Sequence, residues 1–187
     1  MCNPSDIETI ILENSNKLKL GKGSTMDNEK RKTTLRMIPY ALYVLATTGE
    51  KIGTGTINWV SQMSFAPPLV ALGVKTDTRN FTNIKDGGAL AMSFLASGQG
   101  DLAFAFFGDT ETDGQAFISK NKRYEFEYSP SGAPILIDAP AWVDLKLINI
   151  VEAGDHAVVI GEVTDVGLRS SNPEPLTLKE LGLNYGG

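Results

Sequence analysis

The chain has 187 residues, 42% of them hydrophobic and 21% charged, with a formal net charge of −5. That length holds one domain with a real core, and no basic block larger than Lys30-Arg31-Lys32 offers a surface for nucleic acid. One cysteine, Cys2, and one histidine, His156, exclude disulfide frameworks, Cys-based metal sites and multi-histidine centres, so no metal is expected.

Residues 1–32 are polar and include Asn14-Ser15-Asn16 and Gly21-Lys22-Gly23-Ser24, which reads as an arm that is partly disordered or docked on a neighbour. The Gly21–Thr25 run lacks the Walker spacing of a phosphate loop. Residues 33–187 read as the domain. No apolar run is long enough to span a membrane and no signal-peptide order is present, so a cytoplasmic protein is expected.

Tyr40 to Thr47 is rich in strand formers, Thr48-Gly49-Glu50-Lys51 makes a turn, and a second strand starts at Ile52. Leu69 to Val74 is a short continuous apolar run, the pattern of a strand buried on both faces. Thr78 to Asp86 predicts a short helix, with Asp77 or Thr78 as its cap and Gly87-Gly88 as its stop. Ala89 to Ala96 is another strand, and Asp101 to Phe107 a helix ended by Gly108. The polar stretch 109–130 reads as a long loop. Trp142 to Val151 and Ala157 to Val166 alternate and form a hairpin through Glu152-Ala153-Gly154-Asp155. Many strands without βαβ alternation argue for an antiparallel barrel, and no Gly-x-Gly-x-x-Gly supports a Rossmann site.

Two segments concentrate polar chemistry. Thr56, Asn58, Ser61, Gln62 and Ser64 crowd hydroxyl and amide groups beside Trp59. Lys75, Thr76, Thr78, Arg79 and Asn80 follow a buried strand and open a helix, where free N–H groups suit a phosphate. The plainer reading of that second segment is a Thr78 cap with solvated cations. A flat ligand with polar edges and a phosphate tail would suit both segments together. His156, after Gly154-Asp155, has the chemistry of a proton donor or of an orienting group, and equally of a structural hairpin residue.

The run from Thr56 to Val70, then Gly132-Ala133-Pro134-Ile135-Leu136, Ala139-Pro140-Ala141-Trp142, Gly154-Asp155-His156, Gly161-Glu162-Val163 and Asn184-Tyr185-Gly186-Gly187, resembles the flavin reductase-like, FMN-binding split-barrel family. The likeness is greatest to the flavin reductase modules of flavodiiron proteins and to flavoredoxin-like proteins. It covers Thr33 onward.

The resemblance implies a mainly β fold: a six-stranded antiparallel Greek-key split barrel with a few short peripheral helices, usually a homodimer. It implies FMN held by Thr56, Asn58, Trp59, Val60, Ser61, Gln62 and Ser64 and by Lys75, Thr76, Thr78, Asn80 and Phe81, with His156 near the flavin or the nicotinamide. The implied activity is hydride transfer from NADH or NADPH to flavin, with electrons passed to an accepting protein or released as reduced flavin. The alternatives are an FMN-bound electron carrier, flavoredoxin-like and reduced by a protein donor, and a non-enzymatic module for a flat ligand such as haem, with His156 as one axial ligand. One departure is Asn80, where many relatives carry Thr. The other is the arm before Thr33, which lies outside the family core.

Overall fold

The computed structural model describes residues 26–108 and 110–186. Most of the arm expected at 1–32 lies outside them, as does the Gly21–Thr25 run. The described part, with the residues just after it, forms helix α1 (Asn28–Leu35), which Asp27 caps by accepting from the Glu29 and Lys30 N–H groups. The chain divides into two compact units, and α1 belongs to the smaller. Ile38–Tyr185 forms the larger, described below.

Its main sheet has seven antiparallel strands: β1 (Tyr43–Thr47), β2 (Gly53–Ile57), β3 (Val60–Phe65), β4 (Pro68–Lys75), β5 (Leu90–Phe94), β10 (Ala141–Glu152) and β11 (His156–Leu168). Their order is β2-β1-β5-β10-β11-β4-β3. A second sheet of four strands runs β6 (Glu111–Thr112), β7 (Ala116–Ser119), β8 (Lys122–Tyr128) and β9 (Pro134–Leu136). Two short helices, α2 (Arg79–Lys85) and α3 (Gly100–Ala105), complete the unit.

This corrects the six-stranded barrel. The fold is mainly β with short helices, but β2 and β3 are the two edge strands of the main sheet with no ladder between them, so the sheets do not close. The reason is local. Only Asn58 and Trp59 join β2 to β3, yet the two strands pair with different neighbours, β1 and β4. Chain continuity brings the two edges near each other at one end, but no backbone hydrogen bonds seal them.

The expected hairpin is β10 with β11, broken in register at Asp144/Leu145 and at Leu147/Asn149. Such irregularities bend a long ladder, which here has to serve both β5 and β4. The stretch 109–130 is corrected from a loop to three strands, β6 to β8. Its few apolar residues decide that outcome: Phe117 and Phe126 stack with ring centroids 4.4 Å apart, and Phe106 meets Phe117 edge-on at 5.6 Å.

Alternation on β1 explains why it is buried on both faces. Val44 joins a core with Leu95, Phe106, Phe117, Phe126 and Leu176, while Leu45 joins a second with Leu72, Ile84, Met92 and Val159. Asp144 is buried as well. Its carboxylate accepts from Ser129 Oγ, Ser131 Oγ and the Ser131 N–H at 2.6–2.9 Å, which anchors the turn into β9. Edge strand β3 carries exposed apolar side chains, Met63 and Phe65, the latter 90% exposed.

Candidate functional site

A cavity of about 640 Å³ lies where the β2–β3 link, β4, the start of α2, residues Phe106 to Gly108 with Thr110, and the Leu183–Tyr185 segment meet. That size is ordinary for a small-molecule site.

On β4 and β11, strand alternation separates core from cavity. Leu72, Ala157 and Val159 bury in the core, while Gly73, Lys75 and His156 line the cavity and His156 pairs directly with Lys75; Val74 belongs to the core and also reaches the cavity wall. Trp59 lies against Gly73 so closely that a Cβ there would sit 2.9 Å from Trp59 Cβ and 3.0 Å from Cε3. Glycine at position 73 lets the indole seat on the strand. The other side of Trp59 meets His156 at 4.6 Å and Tyr185 at 5.4 Å between centroids.

His156 is held at both ring nitrogens, with Nδ1 3.1 Å from Asp155 Oδ1 and Nε2 3.2 Å from Tyr185 Oη. The hydrogen bond and charge of His156 keep the Asp155 carboxyl below its ordinary value. Lys75 Nζ donates to Asp77 Oδ2 at 2.7 Å, which lowers the Asp77 pKa. The Lys75 pKa is raised, first by that bond and the Asp77 charge, with smaller contributions from Tyr185 and Asp155. Lys75, Asp77 and Asp155 are exposed, so these pairings add little to stability.

Two donors stand out. Asn58 Nδ2 and Trp59 Nε1 are buried without a hydrogen-bond partner among the described residues, and both residues line the cavity. A buried donor left unpaired costs about 1–3 kcal/mol, so this feature needs a reason.

At the α2 end the polar groups are spoken for. Thr78 caps the helix, its Oγ1 donating to Lys75 O at 2.7 Å and accepting from the Phe81 N–H at 3.3 Å. Asn80 is buried, its Oδ1 accepting from Thr47 Oγ1 at 2.8 Å. Asn83 Nδ2 donates to Thr47 Oγ1 and to Lys51 O, each at 3.0 Å. Thr56 Oγ1 donates to Ala103 O at 2.7 Å. Arg79 differs: it donates one N–H to Ile52 O at 3.3 Å and meets no carboxylate among the described residues.

Of the residues singled out in sequence, the fold brings Thr56, Asn58, Trp59, Lys75, Thr78, Arg79, Asn80 and His156 to this one cavity. Val60, Ser61, Gln62 and Ser64 run along β3 away from it, and Gln62 Nε2 donates to Ser64 O. Thr76 bonds Asp155 O, and Phe81 packs in the core beside Ile84. Thr54, Phe107, Thr110 and Leu178 reach the cavity by long-range packing alone, which no local sequence signal records. Tyr185 lies in the Asn184-Tyr185-Gly186-Gly187 run, and nothing in the sequence ties it to His156.

Residues 35–185 match the model of the flavin reductase like domain, and the chain belongs to that family. It is 30% identical over 116 residues to a probable flavin reductase of Rhizobium meliloti strain 1021, covering 62% of this chain and 35% of that protein. It thus spans about a third of that relative's length. It is 28% identical over 118 residues to an NADH:FMN oxidoreductase of Rhodococcus qingshengii, covering 61% of this chain and 58% of the other. Among solved structures it resembles the flavin reductase PheA2 in its native state, with a TM-score of 0.67 and 25% identity over 80% of this chain and 92% of that one.

Proposed function

We propose that the protein is an FMN-dependent flavin reductase that takes hydride from NADH or NADPH. The observation that carries this reading is the pair of unpartnered donors, Asn58 Nδ2 and Trp59 Nε1, at the wall of a cavity in a chain of this family.

The residues present fit a flavin mononucleotide. A flavin ring offers carbonyl and nitrogen acceptors along one edge, which answers two orphaned donors. Gly73 lets Trp59 seat close on β4, and Trp59 and Tyr185 supply apolar ring surface. Arg79, with unspent N–H groups, is the natural phosphate partner. Thr78 and Asn80 support that end by holding α2 in place. FMN, when bound, supplies the two-electron chemistry. The chain's part is to seat the ring against Trp59, anchor the phosphate at Arg79 and hold a proton at the His156 ring. Edge strand β3, with Met63 and Phe65 exposed, is the surface on which the homodimer reading rests.

The test is direct. Protein loaded with FMN should be yellow, sediment as a dimer, and bleach when NADH or NADPH is added without oxygen. A yellow protein that neither nicotinamide bleaches would remove the reductase reading and favour an electron carrier reduced by another protein.

A further inference from the structure

We propose that Tyr185 is the positioning residue of this site: it holds the His156 ring from the cavity side, and its hydroxyl relays any proton passing between His156 and a bound ligand.

The argument starts from exposure. The His156 side chain is only 14% exposed, whereas Tyr185 is 45% exposed and lines the same cavity. Neither imidazole nitrogen is free. An ionised carboxylate only accepts, so Asp155 requires the hydrogen on Nδ1. The neutral ring then has Nε2 as its acceptor, and Tyr185 O–H donates to it at 3.2 Å. When the ring is charged, Nε2–H donates to Tyr185 Oη instead. Both residues line the cavity, and in both states the imidazole nitrogens are engaged, which leaves Tyr185 Oη as the atom of the pair with hydrogen-bonding capacity for a ligand. Trp59 packs against both rings at a tilt of 56° and limits how far either can turn.

The relay balances as a proton transfer. Tyr185 O–H breaks as the hydrogen passes to a basic atom of the ligand. Nε2–H of charged His156 breaks as the hydroxyl re-forms. His156 is left neutral and recovers its proton from solvent. The charged groups facing this pair are Asp155 on the turn before β11, Lys75 at the end of β4, and Asp77 before α2. Lys75 and Asp77 largely answer each other, which leaves Asp155 as the main electrostatic partner of the ring.

The relay rests on the flavin reductase reading, and the positioning does not. The experiment keeps them apart. His156 is the only histidine, so one set of imidazole ¹⁵N signals reports its tautomer and titration in protein without flavin. Wild type should show the Nδ1–H tautomer when neutral. Tyr185→Phe should shift that signal toward a mixed tautomer and move the titration. Asp155→Asn should shift it toward Nε2–H, a second route should Tyr185→Phe fold poorly. Loaded with FMN, Tyr185→Phe should lose about tenfold in kcat, and its pH profile should move with the NMR titration. Unchanged His156 signals in Tyr185→Phe, or a pH profile of turnover that stays put while the signals move, would overturn the proposal. If wild type itself reduces no flavin, the reductase reading fails, and the NMR comparison still decides the positioning.

Discussion

The two ends of the cavity are built on opposite rules. At the α2 end, Asn80, Asn83 and Thr47 are buried and uncharged, and their side chains are bonded to one another or to backbone. At the β4–β11 end, Lys75, Asp77 and Asp155 stand exposed, while Asn58 Nδ2 and Trp59 Nε1 are buried with no hydrogen-bond partner among the described residues. A satisfied buried network holds a fold, and its loss is felt in stability. An unsatisfied one costs stability and gives it back when a partner arrives. The contrast therefore assigns the buried Asn80–Thr47–Asn83 network to holding the site together, and Asn58, Trp59 and the unspent N–H groups of Arg79 to holding a ligand.

The largest effect should come from the satisfied end. Asn80→Ala leaves Thr47 Oγ1 without its acceptor and opens space beside Gly53 in the β2–α2 contact. We expect a loss of about 2–3 kcal/mol in stability, read from the urea unfolding midpoint. Flavin affinity per folded molecule should change less than stability does. If Asn80→Ala unfolded at the wild-type midpoint but bound flavin poorly, Asn80 would be a ligand contact and the comparison would invert.

Next comes the unsatisfied end. Trp59→Phe keeps an aromatic ring on Gly73 and removes the orphaned Nε1. Stability should hold, or rise by up to about 1 kcal/mol, because a buried unpaired donor is gone. FMN affinity, followed by fluorescence titration, should fall about tenfold, equivalent to ~1.4 kcal/mol. A variant that destabilised the protein and left affinity intact would show the indole N–H to be paired in solution.

This division also explains what could be read from the chain. Sequence placed the helix at Thr78 with Gly87-Gly88 as its stop, and the structure agrees: the Gly88 N–H bonds Asn83 O, and Gly87 takes a φ of 83°. Such signals are local, set by a cap and a turn. The polar pattern of Asn80 was equally visible, but a buried amide and a phosphate ligand look alike until Thr47 is known to sit opposite. Tyr185 shows the reverse limit. It becomes meaningful only when folding sets it on His156, 29 residues away in the chain. The barrel expectation failed for a related reason. The strands were legible, but whether β2 and β3 pair depends on hydrogen bonds across a gap that no sequence period records.

The smallest effect tests the exposed charges. The Asp155 carboxyl is held below its ordinary value of 3.8 by the His156 hydrogen bond first and its charge second. A group depressed on folding contributes stability above its unfolded pKa and loses it as pH falls through the folded one. Asp155→Asn should therefore melt slightly below wild type at about pH 5, and the gap should close by about pH 2, where the wild-type carboxyl is also neutral. The difference should be smaller than either of the other two, because Asp155 is exposed and solvent screens the pair. A gap of the same size across that whole range would mean that the Asp155 side chain matters through its packing or turn geometry. His156 would then owe its orientation to Tyr185 and Trp59 alone.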